Sequence, residues 1–584
     1  MNIQTTAVRA PAEQPAIMTN EEMLRFLSFV DEIDTEADLG LHLPSPNACY
    51  RMSIFLLRQH LEAKLVTVTA LAASSGVPYA TAMRRIAEML EQGLIIRRPK
   101  GKGSKSFSFH PSRELIDAWY GYARRMKRII GQTFGFSYEG ELYDYYFGGS
   151  YLSARIIAPP SVSGAKLDIS GPLRLLVHAD PTFLAMENLK RQFEQYFGVA
   201  IRVRALSIDR LHEEALANGQ LAKSRYDVVA CDLPWIGEFA AKGVLRPLDT
   251  LLAAREINVA DFHPAGWKGT HYRGRPYGFP IHTTPELMFY REDIFAERGL
   301  APPETTDQVL AAAKVLHQPH KTGMRGIAWN AARGTPMGHT FLFVMAAFGR
   351  SILNLRRVGH GFDAETIEGE QFRPMIDSLE GRRTAEYLRE LLQYSPPNIL
   401  SMAWYERIAA YSRGEVAMAY GYNVLASYFE LDDTSPAKGK TGILPHPAGR
   451  GGRNIAPVGG FVLGIPGNLA TERLDAAWQA IKLFTSSEAI KLFILNGSRT
   501  SPRFSVSADP EVRSLSKVIT AVDDMERRGL VQFWPRPPAP EMADIINICG
   551  EEMHDVARGL KAVRAALADA QNRADALMRA KGYY

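Results

Sequence analysis

Two groups of residues stand out for the chemistry they could do. Between positions 84 and 128 the sequence carries Arg84, Arg85, Arg97, Arg98, Lys100, Lys102, Lys105, Arg113, Arg124, Arg125, Lys127 and Arg128, against only Glu88, Glu91, Glu114 and Asp117. A local cationic excess of this kind suits phosphate contact and counterion release. Farther on, Asp180, Asp232 and Trp235 stand just after short apolar runs. Carboxylates accept hydrogen bonds from ligand donors, and a flat ring covers apolar ligand faces. The sequence has no GxSxG, no HExxH, no phosphate loop and no paired Cys–His motif, so no enzyme, metal or cofactor is expected.

The elements that position these residues must fill a long chain. At 584 residues it exceeds one compact core, so two to four folding units are expected. Hydrophobic residues make up 46% and charged residues 22%, as in an ordinary globular protein, and the net charge of +5 matters less than its distribution. Cys49, Cys231 and Cys549 fit no zinc spacing, and an odd count suggests no disulfide framework. At the start, Arg9, Pro11, Glu13, Pro15, Glu21 and Glu22 interrupt any apolar stretch, so no export signal is expected. No window offers about 18 consecutive apolar residues, so no membrane span is expected. Residues 1–19 read as a disordered tail.

Residues 20–132 form the first domain. The stretch RMSIFLLRQHLEA has helical spacing. Thr67 or Thr69 can cap a short helix through Leu71, and Gly76 stops it. Pro78 opens a second helix whose apolar face is Ala82, Ile86, Met89 and Leu90, and Gly93 ends it. Leu94–Ile96 and SFSFH are strand-like arms around the basic tip RRPKGKGSK. This order of parts, with LEQGLIIRR leading into the tip, resembles the winged helix-turn-helix family of the MarR-like type over roughly residues 50–130. The resemblance implies double-stranded DNA as partner. Tyr79, Thr81, Arg84 and Arg85 would lie on the reading helix, and Arg97, Arg98, Lys100, Lys102 and Lys105 on the wing. The helix of residues 112–132 presents Leu115, Trp119, Tyr122, Met126 and Ile129, a seam for a homodimer or for packing within the chain.

Residues 133–170, rich in Gly, Tyr, Ser and Pro, read as a connector. From 171 to 584, apolar runs such as LRLLVHAD and YDVVACDLPW alternate with helical stretches, which means βαβ units and a mainly parallel sheet. Ligands bind beyond the carboxyl ends of such strands, where Asp180, Asp232 and Trp235 fall.

The segments RGRPYGFPIHTTPELMFYREDIF, GLAPPETTDQVL, AYSRGEVAMAYGYN and VGGFVLGIPGNLATERLDAAWQAIKLFTSSEAIKLFI resemble, in order, the extracellular solute-binding proteins of ABC importers, sugar-binding group. The resemblance implies an α/β fold of the periplasmic-binding-protein-like type II, two lobes joined by crossing strands. The run PYGFPIHTTPELMFY would be one crossing. Carried over by position, the cleft would hold Asp180, Thr182, Asp232, Trp235, His282, Thr283, Trp329, Asn330, Tyr420, Tyr422, Asn423, Gly459, Gly460, Phe461 and Arg499, a set suited to a carbohydrate. His263 and His271 read as polar surface. The final stretch VRAALADAQNRADALMRAKGYY reads as an amphipathic helix docked on a lobe.

The missing export signal and the DNA-reading module depart from that family. Together they favour a cytoplasmic, ligand-responsive transcriptional regulator in which cleft closure moves the DNA-reading heads. The alternative is a periplasmic substrate-binding protein of a carbohydrate ABC transporter.

Overall fold

The protein is described from a computed structural model. It covers residues 48–61, 65–99, 107–134, 166–253 and 257–584, together with Met23, Leu27 and Val30. The chain divides into two compact units, Met1–Ser153 and Ala154–Tyr584. The expected tail, most of the connector, and Lys100, Lys102 and Lys105 lie outside the described residues.

In the first unit, helices Ala48–Leu61, Val68–Ala73 and Tyr79–Glu91 precede an antiparallel hairpin of Ile95–Pro99 with Phe107–Pro111, and helix Arg113–Phe134 follows. Thr67 caps the short helix by accepting from the Ala70 amide at 3.2 Å. Gly76 and Gly93 both take φ +70°, the left-handed turn that only glycine adopts cheaply. Leu115 and Trp119 are buried, and Trp119 Nε1 donates to Ser53 Oγ at 3.1 Å while its ring stacks on Tyr50. These two seam residues are therefore spent on packing within the chain.

Among the described residues, the second unit contains two large sheets and two short two-stranded ones, His271–Tyr272 with Arg275–Pro276 and Arg357–Val358 with Gly361–Phe362. In the first lobe the strand order is Ile201–Leu206, Leu173–His178, Val228–Asp232, Phe461–Gly464, Phe279–Pro280. The first three are parallel and Phe461–Gly464 runs against them. In the second lobe the order is Arg325–Ala328, Val416–Tyr422, Thr284–Arg291, Ala456–Gly459, Val531–Gln532, with Thr441–Leu444 also pairing Thr284–Arg291.

The chain passes between the sheets twice at these strands. Phe279–Pro280 belongs to the first sheet and Thr284–Arg291 to the second, so residues 281–283 form the expected crossing. Ala456–Gly459 belongs to the second sheet and Phe461–Gly464 to the first, so Gly460 alone forms another. Its φ is +124°, and a Cβ there would meet the His282 carbonyl oxygen at 2.3 Å. The two crossings thus touch backbone to backbone, which a side chain would prevent.

Aromatic packing fills the first lobe: Phe193 and Phe197 meet Phe484 edge-on at 4.9 and 5.6 Å. In the second lobe, helix Thr335–Ala347 crosses helix Met542–Ala557 at glycines. A Cβ on Gly338 would meet the Ile546 carbonyl at 2.0 Å, so the axes approach closely only because it is absent. Helix Val563–Ala580 docks through Ala566, Leu567, Ala570, Ala574 and Met578, all buried.

Candidate functional site

The strand ends of the first lobe converge on the crossings. Asp180 follows strand Leu173–His178 and caps helix Pro181–Asn188, its Oδ1 accepting from the Thr182 and Phe183 amides at 2.8 and 3.0 Å. Its Oδ2 meets His282 Nε2 at 3.0 Å and His178 Nδ1 at 3.4 Å. Burial opposes ionisation of this carboxyl, but His282 and then His178 outweigh it and hold it below the ordinary carboxylate range. Asp232 ends strand Val228–Asp232 and is buried. Burial raises its carboxyl, with Arg536, His178 and His282 pulling the other way. Phe461 lies opposite Asp232 in the ladder; its ring stacks on His178 at 4.9 Å and meets Trp235 edge-on at 6.1 Å.

Facing groups come from the second lobe. Arg536 lies in the proline-rich segment FWPRPPAP, between strand Val531–Gln532 and helix Met542–Ala557. Its Nη2 donates to the Val458 carbonyl at 2.8 Å and its Nη1 to His339 Nε2 at 2.8 Å. His339 Nδ1 is 2.8 Å from the Thr335 carbonyl, so the ring is the Nδ1–H tautomer. Burial, then Arg536, lowers this imidazole to about 3 and keeps it neutral. Trp404 meets His339 edge-on at 5.1 Å and tilts toward Tyr422 at 5.9 Å. Both rings are only half-buried, and together they make an aromatic platform.

Behind this platform, Glu286 pairs Tyr422 across the sheet and takes an ion pair from Arg407 Nη1 at 2.5 Å. Burial works against the Glu286 carboxylate, but Arg407 and then His446 pull it down to about 2. His446 Nε2 lies 3.2 Å from Glu286 Oε2, off the hydrogen-bonding angle. The guanidinium of Arg407 sits 5.6 Å from the Tyr422 ring and 6.0 Å from Trp404.

Of the residues expected in the cleft, Asp180, Asp232, Trp235, His282, Tyr422, Gly459, Gly460 and Phe461 meet at or beside the crossings. A Cβ on Gly459 would strike Arg536 Nη2 at 2.8 Å and the Tyr422 ring at 2.9 Å. Thr182 bonds Ser498 Oγ at 2.9 Å, and Thr283 gives its carbonyl to Thr500 Oγ1 at 2.5 Å. Asn423 Nδ2 donates to the Arg499 carbonyl at 3.4 Å, and Arg499 pairs with Glu430 at 2.9 Å. Trp329 is fully enclosed, with Nε1 donating to Ser395 Oγ at 3.0 Å. Its neighbour Asn330 is fully buried, and its carbonyl accepts from Thr340 Oγ1 at 2.8 Å. Tyr420 is buried against His446 and bonds Tyr387.

His263, read as surface, is in fact buried beside Ser507 and Phe504, because helix Pro264–Gly269 packs it inward. His271 is half-buried, its Nδ1 3.0 Å from the Trp267 carbonyl. Sequence reasoning missed His178, His339, Trp404, Arg407, Arg536 and Glu286. A signal existed for two of them: Glu286 is the lone acid in the otherwise apolar strand TPELMFY, and Arg536 is the lone charge among four prolines.

In the first unit, Tyr79 is 57% exposed, and Arg84, Arg85, Arg97 and Arg98 are exposed. Thr81 is half-buried, and Arg97 lies 4.8 Å over the Phe107 ring. No helix among the described residues is long and apolar enough to cross a membrane.

The second unit has clear likenesses. A mannitol-binding protein of Pseudomonas aeruginosa is 22% identical over 52% of this chain; the alignment spans 66% of that protein, just under two thirds. A probable amino-acid ABC transporter periplasmic-binding protein of Sinorhizobium fredii is 22% identical over 75% of this chain and 96% of its own length. Among solved structures, an ABC transporter solute-binding protein of Agrobacterium radiobacter in complex with ribitol is 25% identical. Its TM-score is 0.64, and the match covers 70% of this chain and 99% of that one. A solute-binding protein of Agrobacterium vitis with bound D-mannitol shares the fold, at TM-score 0.60 and 21% identity over 71% of this chain and all of that one. Residues 181–491, more than half of the chain, match the family described as bacterial extracellular solute-binding protein, and the chain belongs to that family.

Proposed function

We propose that the second unit is the receptor of an ABC import system and binds a polyol or sugar between its lobes. The observation that carries this reading is the half-buried pair Trp404 and Tyr422, 5.9 Å apart, set beside buried charged groups at the strand crossings. An aromatic platform covers C–H faces while ionised groups bond hydroxyls. The relatives that bind mannitol and ribitol support the ligand class. As a receptor for import, the chain works outside the inner membrane, in the periplasm, rather than in the cytoplasm. Calorimetric titration of the full chain with mannitol, ribitol, maltose and amino acids tests the reading; heat from none of the polyols or sugars would refute it.

A second reading concerns the first unit. The exposed row Tyr79, Arg84 and Arg85, next to a hairpin bearing Arg97 and Arg98, has the charge and order of parts of a winged helix-turn-helix gripping DNA. In that case the chain is a cytoplasmic, ligand-responsive transcriptional regulator, with two copies reading two half-sites as a homodimer. Cell fractionation separates the two: release of the full-length chain by osmotic shock supports import, and retention with DNA binding supports regulation.

A further inference from the structure

We propose that Asp232 and Arg536 form a donor–acceptor gate that selects an uncharged polyhydroxyl solute over its carboxylated counterpart. The inference rests on the receptor reading above and deepens it. Both groups are set against one crossing strand. Asp232 stands opposite Phe461, and the amide of the next residue, Leu233, donates to the Gly460 carbonyl at 3.1 Å. Arg536 Nη2 donates to the carbonyl of Val458, two residues before Gly460, at 2.8 Å. The carboxyl is therefore supplied by the first lobe and the guanidinium by a segment following the second-lobe sheet, on either side of the hinge glycine.

The hydrogen-bonding capacity of the pair is unevenly spent. Each residue is 6% exposed. Arg536 uses Nη1 on His339 and Nη2 on Val458, while its buried Nε has no partner among the described residues. His178 Nδ1 and His282 Nε2 point at Asp180, at 3.4 and 3.0 Å, while the Asp232 carboxyl takes a backbone bond from the Leu233 amide. A carboxylate has lone pairs beyond the one Leu233 uses, and Arg536 Nε keeps an unspent donor, a buried group that calls for a partner.

A hydroxyl suits both: it donates to the carboxylate and accepts from the guanidinium. A ligand carboxylate suits only the guanidinium, meets the Asp232 charge in a poorly hydrated site, and must be desolvated itself. The two opposite charges, taken together, also offer an anion no net attraction. The gate thus favours polyols and neutral sugars and rejects aldonates.

The test is calorimetric titration of the full chain with D-mannitol and with its aldonate, D-mannonate, for the native chain, Asp232→Asn and Arg536→Gln. The ratio of the two affinities on one sample does not depend on how much of a variant is folded. The native chain is expected to prefer mannitol at least tenfold. Asp232→Asn should shrink that preference below threefold, and Arg536→Gln should enlarge it. Equal native affinity for mannonate, or a ratio unmoved by both substitutions, overturns the gate while leaving the receptor reading intact. A native chain that binds maltose but neither mannitol nor mannonate overturns the gate alone, and one that binds no polyol or sugar overturns the receptor reading with it.

Discussion

His339 takes a hydrogen bond from Arg536 Nη1 at 2.8 Å on one ring nitrogen and gives one to the Thr335 carbonyl at 2.8 Å on the other. The imidazole is thereby a fixed acceptor that aims a guanidinium, and it does so as the neutral ring. Replacing it by leucine leaves Arg536 with one anchor. A hydrogen bond to a charged group contributes about 1.5–3 kcal/mol. His339→Leu should therefore weaken polyol binding tenfold or more in calorimetry, while His339→Gln, which keeps an acceptor, recovers part of the loss.

The platform can be tested alone. Trp404 is half-buried and packs on His339 and Tyr422. Trp404→Ala should lower ligand affinity about tenfold, which is about 1.4 kcal/mol, with unfolding by urea nearly unchanged. An unchanged affinity would remove the platform from the site.

Gly460 should tolerate no side chain. Its φ of +124° and the 2.3 Å approach of the His282 carbonyl both oppose a methyl group. Strained backbone of this kind costs about 1–3 kcal/mol per residue. Gly460→Ala should lower the urea midpoint accordingly, and small-angle scattering should report less change on ligand addition. A variant as stable as the parent would show that the crossings can part freely.

Two buried carboxyls make stability depend on pH in opposite senses. Glu286 is held at about 2, chiefly by Arg407 against burial, so its contribution is present above the ordinary carboxylate range and is lost as pH falls toward 2. Glu526 is raised by burial to about 8. Its oxygen accepts from the Ala265 amide at 3.0 Å, and Asp523 adds repulsion, with His263 close by. Folding therefore favours protonated Glu526: the contribution is full below the ordinary carboxylate range and is lost as pH rises toward 8. Thermal unfolding followed from pH 5 to 9 should fall through that window, and Glu526→Gln should flatten the fall. Glu286→Gln should cost about 3–5 kcal/mol by stranding Arg407.

For the first unit, fluorescence anisotropy against salt is the measurement. If the exposed arginines touch phosphate, Arg84→Ala with Arg85→Ala should lower the slope of log affinity against log salt by roughly 0.9 for each phosphate that is no longer neutralised. A slope that does not change would separate these cations from any nucleic-acid binding.

Much of the scaffold was legible in the residue order. Gly76 and Gly93 marked real left-handed turns, Thr67 capped its helix, and PYGFPIHTTPELMFY crosses between sheets as expected. Strand ends located Asp180 and Asp232 because parallel strands deliver their last residues to one edge. The same reasoning selected Trp329, which follows a strand yet is turned into the core against Ser395. A strand end fixes where a residue lies along the sheet, not which way its side chain faces. Trp404, His339 and Arg536 were illegible for a different reason. They come from a loop, a helix and a proline-rich segment far apart in the chain, and only tertiary packing brings them together.

The interleaving of strands has a consequence for synthesis. The first-lobe sheet begins with Leu173–His178 but lacks its fourth strand until Phe461–Gly464 appears, more than two hundred residues after Val228–Asp232. While the ribosome makes the intervening stretch, the strand ending in Asp232 keeps a bare flank of amide and carbonyl groups, the kind that recruits foreign strands. Only that late insertion covers the flank, so in a chain of this design the last-paired edge is the one most open to wrong pairing.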